Sequence, residues 1–196
     1  MIGTEVTEAE RATVPLSNFY RLLHPYNTSL VTCGDAEGQL NIIAIAWLVP
    51  VSVQPPLVGM SIRPTRHSYG LIRETGEFVV NVAPYEIAQQ VLFCGRRSGR
   101  DVDKFAATGL TPGPAQVVRP PVIEECVAHL ECRAVQDVEA GDHRFVLGQV
   151  LAAYARPGAL GADGLYALGH VRPLLHLGRN HFTSTLSQTV EPQLPV

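Results

Sequence analysis

The chain has 196 residues, 46% of them hydrophobic and 17% charged, enough apolar material for one substantial core and too little charge for a disordered segment. Lys and Arg number 15 against 18 Asp and Glu, so the net charge of −3 gives no overall basic field pointing to nucleic acid or an anionic membrane. Glu5, Glu8 and Glu10 near the start do not read as a secretory leader, and the apolar run Ile42 to Val51 contains Pro50 and is too short to span a bilayer. The expectation is a cytoplasmic protein with neither nucleic acid nor membrane as a partner.

No repeat or linker divides the chain. It reads as an N-terminal extension (1–16), a single domain (17–180) and a C-terminal tail (181–196). A short helix is expected over Leu16–Leu23, stopped before Pro25. Strands follow at Ser29–Cys33 and Leu40–Val49, joined by the glycine-flanked acidic turn Gly34-Asp35-Ala36-Glu37-Gly38. Leu57–Ile62 is another apolar run, entered through Pro55 and Pro56. Thr65–Thr75 reads as a helix with Thr65 at its N-cap and Gly76 as its stop. Phe78–Val82 is a strand, and Pro84 opens a helix with Ile87, Ala88, Val91 and Leu92 on one face.

After the arginine-rich loop CGRRSGR, a helix is expected over Asp101–Thr108, closed by Gly109. Along Val127–Val135, Ala128, Leu130, Cys132 and Ala134 share one face of a strand while His129, Glu131 and Arg133 share the other. Ala140-Gly141-Asp142 turns the chain into a long strand, Arg144–Tyr154, and a short one covers Leu174–Leu177. Many short strands with few, short helices predict a mainly β barrel rather than a parallel α/β sheet.

Cys33, Cys94, Cys126 and Cys132 form no CxxC pair, and the histidines lack ligand spacing, so no metal site is expected. Neither a nucleophile elbow, a phosphate-cradling glycine loop nor a dinucleotide fingerprint is present. Four ordered segments do carry a signal: NIIAIAWLVPVSVQPPLVGMSI, RHSYGLIRETGEFVVNV, SGRDVDKFAATGLTP and LECRAVQDVEAGDHRFVLGQV. Together they resemble the flavin reductase-like family, which includes flavoredoxins and the reductase components of two-component monooxygenases. The resemblance spans roughly residues 20–180 and implies an antiparallel Greek-key split β-barrel that binds FMN.

The resemblance lays the flavin along Ala44, Ile45, Ala46 and Trp47, continuing to Val51 and Ser52, where small side chains let a flat ring approach the backbone. Ala44 stands where family members often carry Thr or Ser, which removes a hydroxyl. Read alone, the same stretch is an ordinary core strand. The flavin phosphate is implied at the strand-to-helix junction, with Arg66, His67 and Ser68 at the helix start and Arg63 assisting. A helix N-terminus with unpaired N–H groups suits an anion, although a solvated, capped helix explains the same residues. Asn81 is a further implied contact.

Ser98 and Lys104 resemble the family loop near the flavin. Lys104 is open to two readings: a cation at the phosphate or the electron-rich ring edge, or a solvated side chain behind an Asp101 cap. His143, in Gly141-Asp142-His143, resembles the histidine facing the nicotinamide site and is the catalytic candidate; its other reading is a turn residue. His170 is another candidate for the pocket lining. The implied activity is an NAD(P)H-dependent flavin reductase with FMN as cofactor, FAD as an alternative flavin substrate, and hydride passing from nicotinamide to flavin. An electron-transfer flavoredoxin is the alternative. A homodimer is implied, with a monooxygenase or other redox protein as partner.

Overall fold

The computed structural model describes residues 11–192. A 3-10 helix at Leu16–Leu23 is followed by β1 (Tyr26–Asn27), β2 (Ser29–Gly34), β3 (Leu40–Ile45), β4 (Leu48–Ser52) and β5 (Leu57–Ile62). Then come α1 (His67–Thr75), β6 (Glu77–Val82), a 3-10 turn at Tyr85–Ile87, α2 (Ala88–Arg96) and α3 (Lys104–Thr108). The two-residue strands β7 (Pro112–Gly113) and β8 (Val122–Ile123) lead into the long hairpin of β9 (Ala128–Ala140) and β10 (His143–Ala155). β11 (Leu174–Gly178) and β12 (His181–Ser184) close the chain.

Seven strands form one antiparallel sheet in the order β3-β2-β6-β9-β10-β5-β4. Its two edges, β3 and β4, are consecutive in the chain and joined at Ala46–Trp47, so the sheet must curl until its edges meet there. The Ser61 N–H donates to the Trp47 carbonyl at 2.9 Å, holding that corner to β5. This is a mainly β split barrel, open along the β3/β4 seam. The run expected as one strand, Leu40–Val49, is therefore broken at Ala46–Trp47: its two halves pair with opposite ends of the sheet, which periodicity cannot show.

The barrel interior gathers Val31, Met60, Ile62, Phe78, Val80 and Val146, and α1 plugs one end with Leu71 and Ile72. The outer face of β2 and β3 is also covered. Leu30 and Ile42 pack against Val91 and Cys94 of α2 and against Leu110. Burial on both faces explains why β2 reads as a continuous apolar run without alternation.

Gly76 ends α1 in the left-handed conformation, φ 70°, as expected of a glycine stop. The expected N-caps move. Arg66 occupies the cap of α1 without a capping side chain, leaving Thr65 exposed. In α3, Asp103 rather than Asp101 caps, its Oδ1 accepting from the Ala106 N–H at 3.1 Å, because Ser98–Asp101 forms a turn of its own. β9 runs five residues past the expected Val135, since β10 pairs with it along its whole length. His181–Ser184, expected to begin the tail, instead pairs with β11 as a strand. Most of the expected N-terminal extension and the last four residues lie outside the described residues.

Candidate functional site

A cleft of about 420 Å³ opens at the seam. Its floor is β3 and the corner that follows, which contribute Asn41, Ile43, Ala44, Ile45, Ala46 and Trp47. The junction from β5 to α1 brings Ser61, Arg63, Arg66, His67 and Ser68, and the end of α2 with its following loop brings Gly95 to Arg100 and Lys104. Tyr20, His24, His143 and His176 complete the wall. A curled sheet places a rigid floor between two helix termini, so ends of unlike chemistry face one ligand.

One end is built for an anion. In the uncapped first turn of α1 the Tyr69 N–H is spent on the Arg66 carbonyl while those of His67 and Ser68 are left available, and Ser68 is 2% exposed. The Asn41 amide donates to Ser68 Oγ at 2.7 Å, while the buried Asn41 Oδ1 has no hydrogen-bond partner. Gly99 lies so close that an added Cβ would sit 2.1 Å from that oxygen, so only the bare backbone fits. Lys104 is 4% exposed and donates to the carbonyls of Ile42 at 2.6 Å and Cys94 at 2.8 Å, leaving one ammonium N–H beside the cleft. Burial lowers its pKa. Burial, with Arg100 and Lys104 nearby, likewise lowers the pKa of His67. Burial also pushes the Cys33 thiol up to about 12 and Cys94 to about 11, so neither offers a thiolate here.

The charge balance of the whole cleft is lopsided. Arg63, Arg66, Arg96, Arg97, Arg100 and Lys104 line it, and no carboxylate does. Of these six cations only Arg63 forms an ion pair within the described residues, with Asp142 at 2.9 Å. The five arginines are exposed to solvent, whereas Lys104 is buried, and a dianionic ligand could offset the cost of burying its charge.

The other end is aromatic. The tight turn of β9 into β10 sets His143 beside Trp47, ring centroids 5.1 Å apart, and Tyr20 meets the same indole at 5.6 Å. His143 Nδ1 lies 2.7 Å from Asp142 Oδ1, an interaction that depresses the Asp142 pKa. With Nδ1 engaged, Nε2 is the ring nitrogen left for the cleft. His24 stands opposite, its buried Nδ1 unpartnered and its pKa lowered by burial and then by His176 and Arg21.

The cleft thus gathers Ala44, Ile45, Ala46, Trp47, Arg63, Arg66, His67, Ser68, Ser98, Lys104 and His143. Four expected residues lie outside it. Val51 and Ser52 sit on β4 beyond the corner. Asn81 is fully buried in β6, donating to the Leu30 carbonyl and accepting from the Ile123 N–H, an amide spent on the core. His170 is exposed on a separate turn. Of the two readings of Lys104 the solvated one is excluded, since the side chain is buried and lines the cleft. Asn41, Gly99, His24 and His176 were not foreseen as site residues, although Asn41 and Gly99 lie within the segments NIIAIAWLVPVSVQPPLVGMSI and SGRDVDKFAATGLTP.

A seven-stranded split barrel with a cation-rich cleft at its seam and a small-residue floor is the architecture of flavin-binding split-barrel proteins. The flavin reductase like domain profile matches residues 20–180, and the chain belongs to that family. A flavin reductase from Pseudomonas putida is 33% identical over 145 residues, covering 73% of this chain and 82% of the relative. An FMN-binding protein from Thermus thermophilus, solved with 1-cyclohex-2-enone bound, superposes with TM-score 0.82 at 29% identity, covering 93% of this chain and 98% of the other. The flavoredoxin of Desulfovibrio vulgaris (Miyazaki F) gives 0.78 at 26%, covering 86% and 91%.

Proposed function

We propose that this chain holds FMN in the seam cleft and works as an NAD(P)H-dependent flavin reductase, passing electrons to free flavin, FAD included, or to another redox acceptor such as a partner oxygenase. The observation that supports this most is the cation-rich, carboxylate-free cleft, with a half-built hydrogen-bond cradle at Asn41, Ser68 and Gly99. These residues fit a phosphate-bearing group, and the small floor at Ala44 and Ala46 fits a flat ring. When bound, FMN would supply the hydride-accepting chemistry that no side chain of this protein offers.

The protein residues bind, orient and handle protons. Arg66, Arg100 and Lys104 balance the phosphate charge, and Ser68 and the first N–H groups of α1 orient it. Trp47 and Tyr20 wall the aromatic end. His143, oriented by Asp142, presents Nε2 as a proton carrier or as a hydrogen-bond partner for a carboxamide. How firmly Arg66, Ser68 and Lys104 hold the phosphate would decide whether the flavin stays bound or exchanges with solvent.

Protein loaded with FMN is expected to show flavin absorption and to bleach anaerobically with NADH or NADPH. Arg66→Ala and Ser68→Ala are each expected to weaken FMN binding; unchanged affinity in both rejects the phosphate assignment. The structural likeness to a flavoredoxin favours a second reading, an FMN electron carrier without efficient nicotinamide oxidation. Slow bleaching by both nicotinamides with rapid reduction by a protein donor selects that reading.

A homodimer belongs to the same proposal. Leu16, Leu22 and Leu23 of the first helix are 87%, 70% and 61% exposed, and Val53 beyond β4 is 91% exposed, apolar surface beside the seam that a second copy would cover. Sedimentation of flavin-loaded protein as a monomer contradicts it.

A further inference from the structure

A second hollow of about 170 Å³ adjoins the aromatic end of the cleft. The two share Ala44, Ala46, Gly95, Arg96 and His176, so they adjoin along these residues. Val91 and Leu92 of α2 and Phe182 of β12 give the hollow an apolar body. Its rim is cationic: Arg96 and Arg179 line it, no carboxylate does, and neither forms an ion pair among the described residues.

The rim is held in place. Arg96 donates to the Arg179 carbonyl at 2.9 Å and to Asn180 Oδ1, and His176 Nε2 lies 3.2 Å from that same carbonyl. Arg179 is the one non-glycine residue with a positive φ among the described residues, 55°, a conformation unfavourable for such a side chain. Both of Arg96's hydrogen-bond acceptors are uncharged, so the two guanidinium charges at this mouth remain uncompensated. A wall of apolar carbon below two free cations matches one ligand chemistry: a small, flat, apolar carboxylic acid.

We propose that this annexe binds an aromatic carboxylate, ring against Val91, Leu92 and Phe182, carboxylate between Arg96 and Arg179. The cleft then has two separate anion ends, one at the start of α1 and one at the β11–β12 turn. The annexe opens beside Ala44 and Ala46, the floor assigned to the flat ring. The inference deepens the proposed flavin chemistry by naming the class of small molecule brought next to it, and rests on that reading for its biological meaning only, since binding itself needs no electron transfer.

The test is calorimetric titration of the full-length, FMN-supplemented protein with benzoate and, separately, with benzamide, its neutral isostere. Benzoate is expected to bind at least about tenfold more tightly than benzamide, the worth of a charge-assisted pair. Arg179→Asn removes the charge but keeps a residue that tolerates positive φ, and it should bring benzoate down to the benzamide level. Leu92→Trp fills the hollow and should abolish binding of both. FMN uptake measured on the same samples separates the two claims. Flavin bound normally with benzoate and benzamide alike, or with benzoate affinity unmoved by either substitution, overturns the annexe. Benzoate discrimination surviving in protein that takes up no flavin upholds the annexe and rejects the flavin reading.

Discussion

Two buried charges in this barrel, Glu131 and Lys104, are satisfied very differently. Glu131 on β9 is fully buried and accepts from the N–H groups of Gln116, Val117 and Val118 and from the Tyr154 hydroxyl. Burial alone would raise its pKa, but those four donors outweigh it and lower the pKa. Lys104 is nearly as buried, yet it has only two neutral carbonyls and its pKa is lowered by burial. A charge whose hydrogen bonds are complete stays where it is to hold a loop. A charge left partly unsatisfied beside a cleft is poised for something that arrives later.

That contrast predicts different consequences for removing each charge. Glu131→Gln should cost about 3 kcal/mol of stability, because an amide cannot accept from all four donors at once. Chemical denaturation measures it, and a loss below about 1 kcal/mol would mean the loop does not depend on the carboxylate. Lys104→Met should reverse the pattern. Flavin affinity should fall at least about tenfold while stability without ligand changes by less than about 2 kcal/mol, the desolvated cation having been a burden as well as a tie. Equal effects of the two substitutions on stability would erase the distinction.

The pH dependence sharpens it further. Burial lowers the pKa of His129, whose Nδ1 lies 2.8 Å from Asn81 Oδ1, and burial lowers those of His24 and His67 as well. Below about pH 6.5 the unfolded chain therefore binds more protons than the folded one, so stability should decline as pH falls from there. The Glu131 contribution has the opposite origin but the same direction: present above about pH 4.3, it is lost as pH drops through the lowered folded value. Midpoint denaturant concentrations across pH 2 to 8 test both, and His129→Gln should flatten the upper part of the slope. The smallest effect expected is that of Thr65→Ala, within about 0.5 kcal/mol, because Thr65 is exposed and does not cap α1.

Much of the architecture was legible in local pattern. The Leu57–Ile62 strand, the Gly76 stop and the β9–β10 turn follow from apolar runs and turn residues whose effects act within a few positions. The split at Ala46–Trp47 was not, since it depends on two strands pairing at opposite ends of one sheet. The same divide runs through the site. Arg66, Ser68, Lys104 and His143, which line the cleft, lie in ordered motifs, whereas Asn41 and Gly99 meet only through the fold, from segments far apart in the chain. Asn81 shows the reverse: a residue inside a matching motif whose amide the core consumes.

By itself, then, the order of residues determined the strands, the helix stops and the family, because each rests on side-chain types at short spacing. Only the curled sheet decided which polar groups lack partners, which cations share a carboxylate-free cleft, and where a second hollow lies beside it. Burial and electrostatic pairing are properties of neighbours in space, and a one-dimensional pattern does not contain them.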